Sequence, residues 1–175
     1  MTDAELAALL KDRAWLEGDF VLRSGRRSTY YLDKYRFETH PVLLRELGER
    51  IAAQARDGDP PDVLAGPELG AVALAASASL AGGLPFLIVR KEAKDYGTAN
   101  RIEGVFEPGQ RVCLVEDVVT TGGAAVAAVE ALREAGLECR RAVCVVDREE
   151  GGADALARLA VRLHPLFRAE DLKAA

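Results

Sequence analysis

Glu116 and Asp117 stand side by side after an apolar run, and the chain continues Val118-Val119-Thr120-Thr121-Gly122-Gly123-Ala124. These residue types can bind one kind of ligand together. Turn amides at the start of a helix present free N–H groups and a positive dipole end to a phosphate. The hydroxyls of Thr120 and Thr121 add donors, and Gly122 and Gly123 let the backbone come close to the anion. Two carboxylates beside a phosphate loop repel anions, so they need another task. Accepting hydrogen bonds from vicinal sugar hydroxyls, or holding Mg²⁺ by way of them, supplies it. The bland alternative is a strand-turn-helix whose Thr and Asp side chains merely cap the turn. No G-x-G-x-x-G follows a strand, and no Lys follows these glycines, so neither a dinucleotide fold nor a Walker loop is indicated.

A second chemical cluster precedes this one. Arg90 and Lys91 end an apolar run and Lys94 follows three residues on, which puts three cations at one edge of a sheet. Such cations can stabilise negative charge growing on a leaving group where water is excluded. Gly97 and Gly104 would allow the segment between them to act as a lid. A solvated charged loop is the competing reading.

The elements that must position these residues alternate. Ala4–Trp15 has helical spacing. Phe20–Leu22 and Thr29–Leu32 read as a hairpin or bent pair of strands. Pro41 opens a helix over Val42–Arg56. Strands are expected at Asp62–Ala65, Pro85–Val89, Arg111–Val115 and Arg141–Val146. Helices are expected at Ala71–Ala81, Gly123–Ala135 and Gly152–Leu159, with a possible edge strand at Val161–Leu163. Arg90–Gly104 shows no periodicity. Strands alternating with helices imply an α/β fold with a mostly parallel twisted sheet. The first 40 residues do not alternate and are expected to form a small hood over a core of residues 41–175, within one domain.

Bulk properties exclude several classes. A net charge of −5 lacks the basic footprint of a nucleic-acid binder. No apolar run approaches the roughly 18 residues of a membrane span. Asp3 and Glu5 in the opening residues argue against a secretory leader, which leaves the cytoplasm as the default location. Cys113, Cys139 and Cys144 are odd in number, lack a C-x-x-C pair and lie in apolar runs, so they read as small core residues.

Residues 112–124, VCLVEDVVTTGGA, resemble the thirteen-residue 5-phosphoribosyl 1-diphosphate (PRPP) signature of type I phosphoribosyltransferases. That resemblance implies the fold of this family. It gives Glu116 and Asp117 the ribose hydroxyls, Asp117 a catalytic part, and Thr120, Thr121, Gly122, Gly123 and Ala124 the 5′-phosphate, with Val118 and Val119 also in the PRPP-binding run. The segment Arg90-Lys91-Glu92-Ala93-Lys94-Asp95-Tyr96-Gly97 is similar to the R-K-E-x-K-x-H-G loop of the orotate phosphoribosyltransferases. By that likeness Arg90, Lys91 and Lys94 contact the diphosphate, Lys94 is the catalytic-loop lysine, and Tyr96 stands where the family has His. Phe20-Val21-Leu22-Arg23-Ser24-Gly25 and the following Tyr30-Tyr31 resemble the same family's substrate motif, with Arg23 in place of Lys. The resemblance implies that Arg23, Tyr30, Tyr31 and Thr120 meet the base.

Two further segments match. Ala65-Gly66-Pro67-Glu68-Leu69-Gly70 is similar to the pyrophosphate loop, and Asp147-Arg148-Glu149-Glu150 to a D-R-x-E motif that places Arg148 on the orotate carboxylate. The family's properties then imply transfer of ribose 5-phosphate from PRPP to orotate in pyrimidine (UMP) biosynthesis. They also imply Mg²⁺ carried mainly by PRPP and water rather than by protein ligands, and a homodimer sharing the mobile loop. A type I enzyme for another base, or a non-catalytic PRPP-sensing regulator, remain the alternatives.

Overall fold

The computed structural model describes residues 1–21, 25, 27–92 and 101–175. In chain order its elements are α1 (Asp3–Ala14), β1 (Trp15–Val21), β2 (Arg27–Leu32), α2 (Lys34–Glu38) and α3 (Pro41–Arg56). They continue with β3 (Val63–Pro67), α4 (Gly70–Gly82), β4 (Phe86–Val89), β5 (Ile102–Glu103) and β6 (Arg111–Val119). The last are α5 (Gly123–Glu134), β7 (Glu138–Asp147), α6 (Gly152–Ala157), β8 (Arg162–Arg168) and α7 (Ala169–Ala174). Six strands form one sheet in the order β5-β4-β3-β6-β7-β8. All neighbours pair in parallel except β5, which runs antiparallel to β4. The α/β architecture expected from the alternating pattern is therefore present.

Both faces of the sheet are covered, and strand periodicity decides which residue faces which cover. Leu64, Cys113 and Val115 pack into a core with α1, α3 and α4. Their chain neighbours Val63, Ala65, Val112 and Leu114 pack on the other side with α5 and α6. The three cysteines are free and buried, as their apolar context suggested. Burial pushes their thiols up, Cys139 to about 11. No helix among the described residues is long and apolar enough to cross a membrane.

The element bounds differ from the sequence reading where charge misled it. The third strand runs four residues past Val115, because Glu116 and Asp117 stay in the ladder beside β7. The last strand extends through Arg168 and tolerates Pro165 because β8 is an edge strand. Trp15 opens β1 rather than closing α1. Part of the aperiodic stretch forms β5. The short helices α2 and α7 lack enough turns to show a period. β1 and β2 pair antiparallel as a separate two-stranded sheet.

Gly48 shows how closely α3 and α4 approach. A Cβ there would lie 2.7 Å from Ser77 Cβ and 2.8 Å from the Ser77 carbonyl carbon. Ser77 Oγ also donates to Leu44 O at 2.8 Å, tying the two helices. A helix-interior Gly costs about 1 kcal/mol in propensity, so the close crossing is its reason for being there. Gly48→Ala is expected to lose about 1–3 kcal/mol through overpacking, against the gain that propensity alone would give. Urea denaturation with an unchanged m-value measures it.

Candidate functional site

β6 is the central strand of the site. Its apolar first half is buried on both faces, and the same ladder carries Glu116 and Asp117 to its carboxyl end. The two side chains are 7% and 5% exposed, so the strand delivers its acids into the protein rather than to its surface. Asp117 Oδ1 accepts from the Val118 amide at 2.5 Å, and Oδ2 accepts from Lys34 Nζ at 2.6 Å. Thr120–Gly122 then turns into α5. Gly122 is left-handed (φ 84°), and a Cβ on it would meet Gly152 Cα at 2.9 Å and Ala155 Cβ at 3.2 Å. The loop is thus pressed against α6. Gly123 has open space where a side chain would stand. The N-cap of α5 is Gly122, and the first amide to find its carbonyl is Val126. The amides of the first turn before it are those a helix leaves without an internal acceptor.

A cavity of about 490 Å³ opens over this end of the sheet. It is lined by residues 116–125 together with Tyr31, Leu32, Lys34, Arg148 and Glu150. The structure therefore brings Glu116, Asp117, the Thr120–Ala124 loop, Tyr31 and Arg148 to one place. β6 and β7 run side by side, with Val119 opposite Asp147, and this sets Arg148 beside the loop. The Arg148 amide donates to Val119 O at 2.9 Å. Its guanidinium Nε lies 3.0 Å from Glu150 Oε1.

Other expected residues stand elsewhere. Tyr30 and Tyr31 are neighbours on a strand, so they point to opposite faces. Tyr31 faces the cavity and leans on Phe20 at 5.7 Å, whereas Tyr30 stacks on Trp15 at 4.0 Å with an interplanar angle of 3°. Tyr30 carries Arg148 over its ring at 4.5 Å, so it supports an arginine of the cavity and is not itself part of the lining. Gly66, Pro67, Glu68, Leu69 and Gly70 form the end of β3 and the turn into α4, beside the lining rather than in it. Glu68 turns its carboxylate to the Lys91 amide at 2.7 Å, away from any anion role. Arg90 pairs its backbone with Arg101, and Arg90 and Lys91 are also outside the lining. Arg23, Lys94 and Tyr96 lie outside the described residues.

Sequence reasoning missed Lys34 and Glu38. They are one turn apart on α2, a helix of five residues anchored by the fully buried Phe37. The i, i+4 spacing of opposite charges was visible, but nothing local marks them as neighbours of a residue 83 positions away. Burial pushes Glu116 up to about 8, and the charge of Asp117 adds to the shift. Burial does the same to Glu38, also to about 8, with Asp117 adding and Lys34 opposing. Burial alone would lower Lys34, but its hydrogen bond and attraction to Asp117 outweigh this and leave it raised. Near neutral pH the cluster thus holds the Lys34–Asp117 ion pair and two largely protonated carboxyls. A polyanion meets far less repulsion than three bare carboxylates would create. Among the described residues, no group of three or more His, Cys, Asp and Glu side chains could hold a metal ion.

A phosphoribosyl transferase domain family matches residues 36–159. An orotate phosphoribosyltransferase of Methanocella arvoryzae is 50% identical over 97% of this chain and 97% of its own. The crystal structure of Mycobacterium tuberculosis orotate phosphoribosyltransferase in complex with Fe(III) dicitrate superposes with a TM-score of 0.86 at 36% identity, covering 97% of this chain and 98% of that one. The same Mycobacterium tuberculosis enzyme in complex with PRPP gives a TM-score of 0.82 at 34% identity, covering 98% of each chain.

The raised carboxyls make stability depend on pH. Glu116 and Glu38 keep their protons in the fold up to about 8, whereas unfolded they lose them near 4.5. Between these values the folded state binds more protons, so stability is highest below about 4.5 on this account and falls as pH rises through about 8. Denaturation midpoints measured across that window are expected to decline, and Glu116→Gln to flatten the decline. An equal slope in wild type and variant would assign the effect elsewhere.

Proposed function

This chain belongs to the orotate phosphoribosyltransferases of the phosphoribosyl transferase domain family, and we propose that it transfers ribose 5-phosphate from PRPP to N1 of orotate. The products are orotidine 5′-monophosphate and pyrophosphate, a step of pyrimidine biosynthesis. The observation that carries this reading is the single cavity that joins a phosphate loop, two buried acids and Arg148. The Thr120–Ala124 loop takes the 5′-phosphate on the amides opening α5. Glu116 and Asp117 meet the ribose hydroxyls, Glu116 as a donor while it holds its proton. Arg148 offers the orotate carboxylate a planar fork of donors, steadied by Tyr30 and Glu150. Tyr31 provides a flat wall for the ring.

Catalysis rests on charge. The anionic base needs no strong proton acceptor. The barrier falls as cations take up the charge of departing pyrophosphate and the carboxylate end of the cavity steadies a ribose with oxocarbenium character. Lys94, with Arg90, Lys91 and Tyr96, serves the leaving group in this scheme, and Arg23 contributes at the substrate end. The two adjacent acids fit a Mg²⁺ held mostly by PRPP and water, since that ion is commonly bound through one or two carboxylates and substrate phosphates. When bound it supplies charge neutralisation to the diphosphate. We place the protein in the cytoplasm as a homodimer in which the Arg90–Gly104 segment of one subunit serves the site of the other.

Incubation with PRPP, Mg²⁺ and a panel of bases tests the reading. Orotate is expected to be consumed; turnover of hypoxanthine or adenine without orotate would overturn the choice of acceptor. Lys94→Ala is expected to lower kcat by roughly 10²–10³ while changing PRPP binding much less, as for loss of a donor to developing charge. Equal losses in both quantities would remove Lys94 from the leaving group.

A further inference from the structure

We propose that Lys34 is a second, resident cation for the diphosphate, contacting it from the floor of the cavity while it holds Asp117. The inference rests on the PRPP reading above and assigns a residue that no motif there includes. Lys34 and Arg148 are the only cations among the described lining residues. Arg148 follows β7 and is engaged by Glu150 and Tyr30. Lys34 lies on the opposite side of β6, toward β3, where Gly70 opens α4 after the turn at Glu68-Leu69.

That position suits a diphosphate. A Cβ on Gly70 would overlap Asp117 Oδ2 and stand 2.8 Å from Lys34 Nζ and 3.0 Å from Glu38 Oε1, so only a residue without a side chain lets the start of α4 come so close to this cluster. α4 is 13 residues long, and its N-cap Leu69 offers no side-chain cap to the first amides. The start of α4 and the ammonium therefore lie side by side. An ammonium has three N–H donors. Asp117 Oδ2 takes one at 2.6 Å, and the side chain, 34% exposed, lines the cavity. A purely structural partner for Asp117 would be expected to be sealed off from it. Glu116 and Asp117 precede the Thr120–Ala124 loop along the chain, and Lys34 sits against Asp117 in the same cavity, so a ligand whose phosphate is on the loop would turn its other end toward Lys34.

The reverse reaction separates the possibilities, because pyrophosphate and orotidine 5′-monophosphate are then distinct substrates. Lys34→Met is expected to raise the KM for pyrophosphate about 30-fold, the loss of a charge-assisted contact. The KM for the nucleotide should rise clearly less than that for pyrophosphate, since only the part of the loss that passes through Asp117 reaches it. Lys34→Arg should recover most of the loss. If Lys34→Met does not fold, Lys34→Gln, which retains a donor for Asp117 without the charge, is measured in the same way with the same expectation. An unchanged pyrophosphate KM, or equal rises for both substrates, overturns the role of Lys34 and leaves it as a prop for Asp117. A wild-type protein that turns over neither pair of substrates overturns the parent reading itself.

Discussion

Carrying carboxyl groups to the buried end of a central strand is costly, and the site is arranged around that cost. An isolated buried carboxylate is expensive enough that it either finds a cation or takes up a proton. Both solutions are present. Asp117 is paired with Lys34 at 2.6 Å, and Glu116 and Glu38 are driven up to about 8 by burial. Much of the surrounding architecture serves this arrangement. The hairpin of β1 and β2 leads directly into α2, the buried Phe37 pins α2 in the core, and the pinned helix holds Lys34 over Asp117. Gly70 leaves the room the cluster occupies.

The turn at Thr120–Ala124 solves the opposite problem. It needs donors and close approach rather than charge, and it obtains both from backbone. Gly122 accepts a left-handed conformation and a neighbour, Gly152, whose Cα would lie 2.9 Å from any side chain there. Gly123 leaves the face of the loop open. A tight inner side and an open outer side hold the amides rigidly toward the cavity, and preorganised donors need no rearrangement when charge arrives. The same logic recurs away from the site, where Gly48 permits the α3–α4 crossing that backs the sheet.

What was legible in the sequence was whatever depends on neighbours along the chain. The strand-acid-acid-loop-helix run of residues 112–124 names its own geometry, because the parts that converge are contiguous. The alternation of apolar runs with helical patterns gave the parallel sheet for the same reason. What depended on contacts between distant segments was not legible. Lys34 and Glu38 reach Asp117 across 83 and 79 residues, in a helix too short to display a period. The charges of Glu116 and Asp117 made the third strand look shorter than it is, although pairing with β7 continues past them. Tyr30 and Tyr31 looked equivalent as a pair of letters, and only the pleat of β2 sends one to the cavity and the other to Trp15.

The stack of Trp15 on Tyr30, with the guanidinium of Arg148 over the same Tyr ring, has an optical consequence. Trp15 is the one tryptophan of the chain. Its indole stands outside the cavity yet is one ring away from the arginine that lines it. Any displacement of Arg148 alters the electric field and the packing felt by the stacked pair. The protein therefore carries a built-in fluorophore placed to report on Arg148 from outside the cavity.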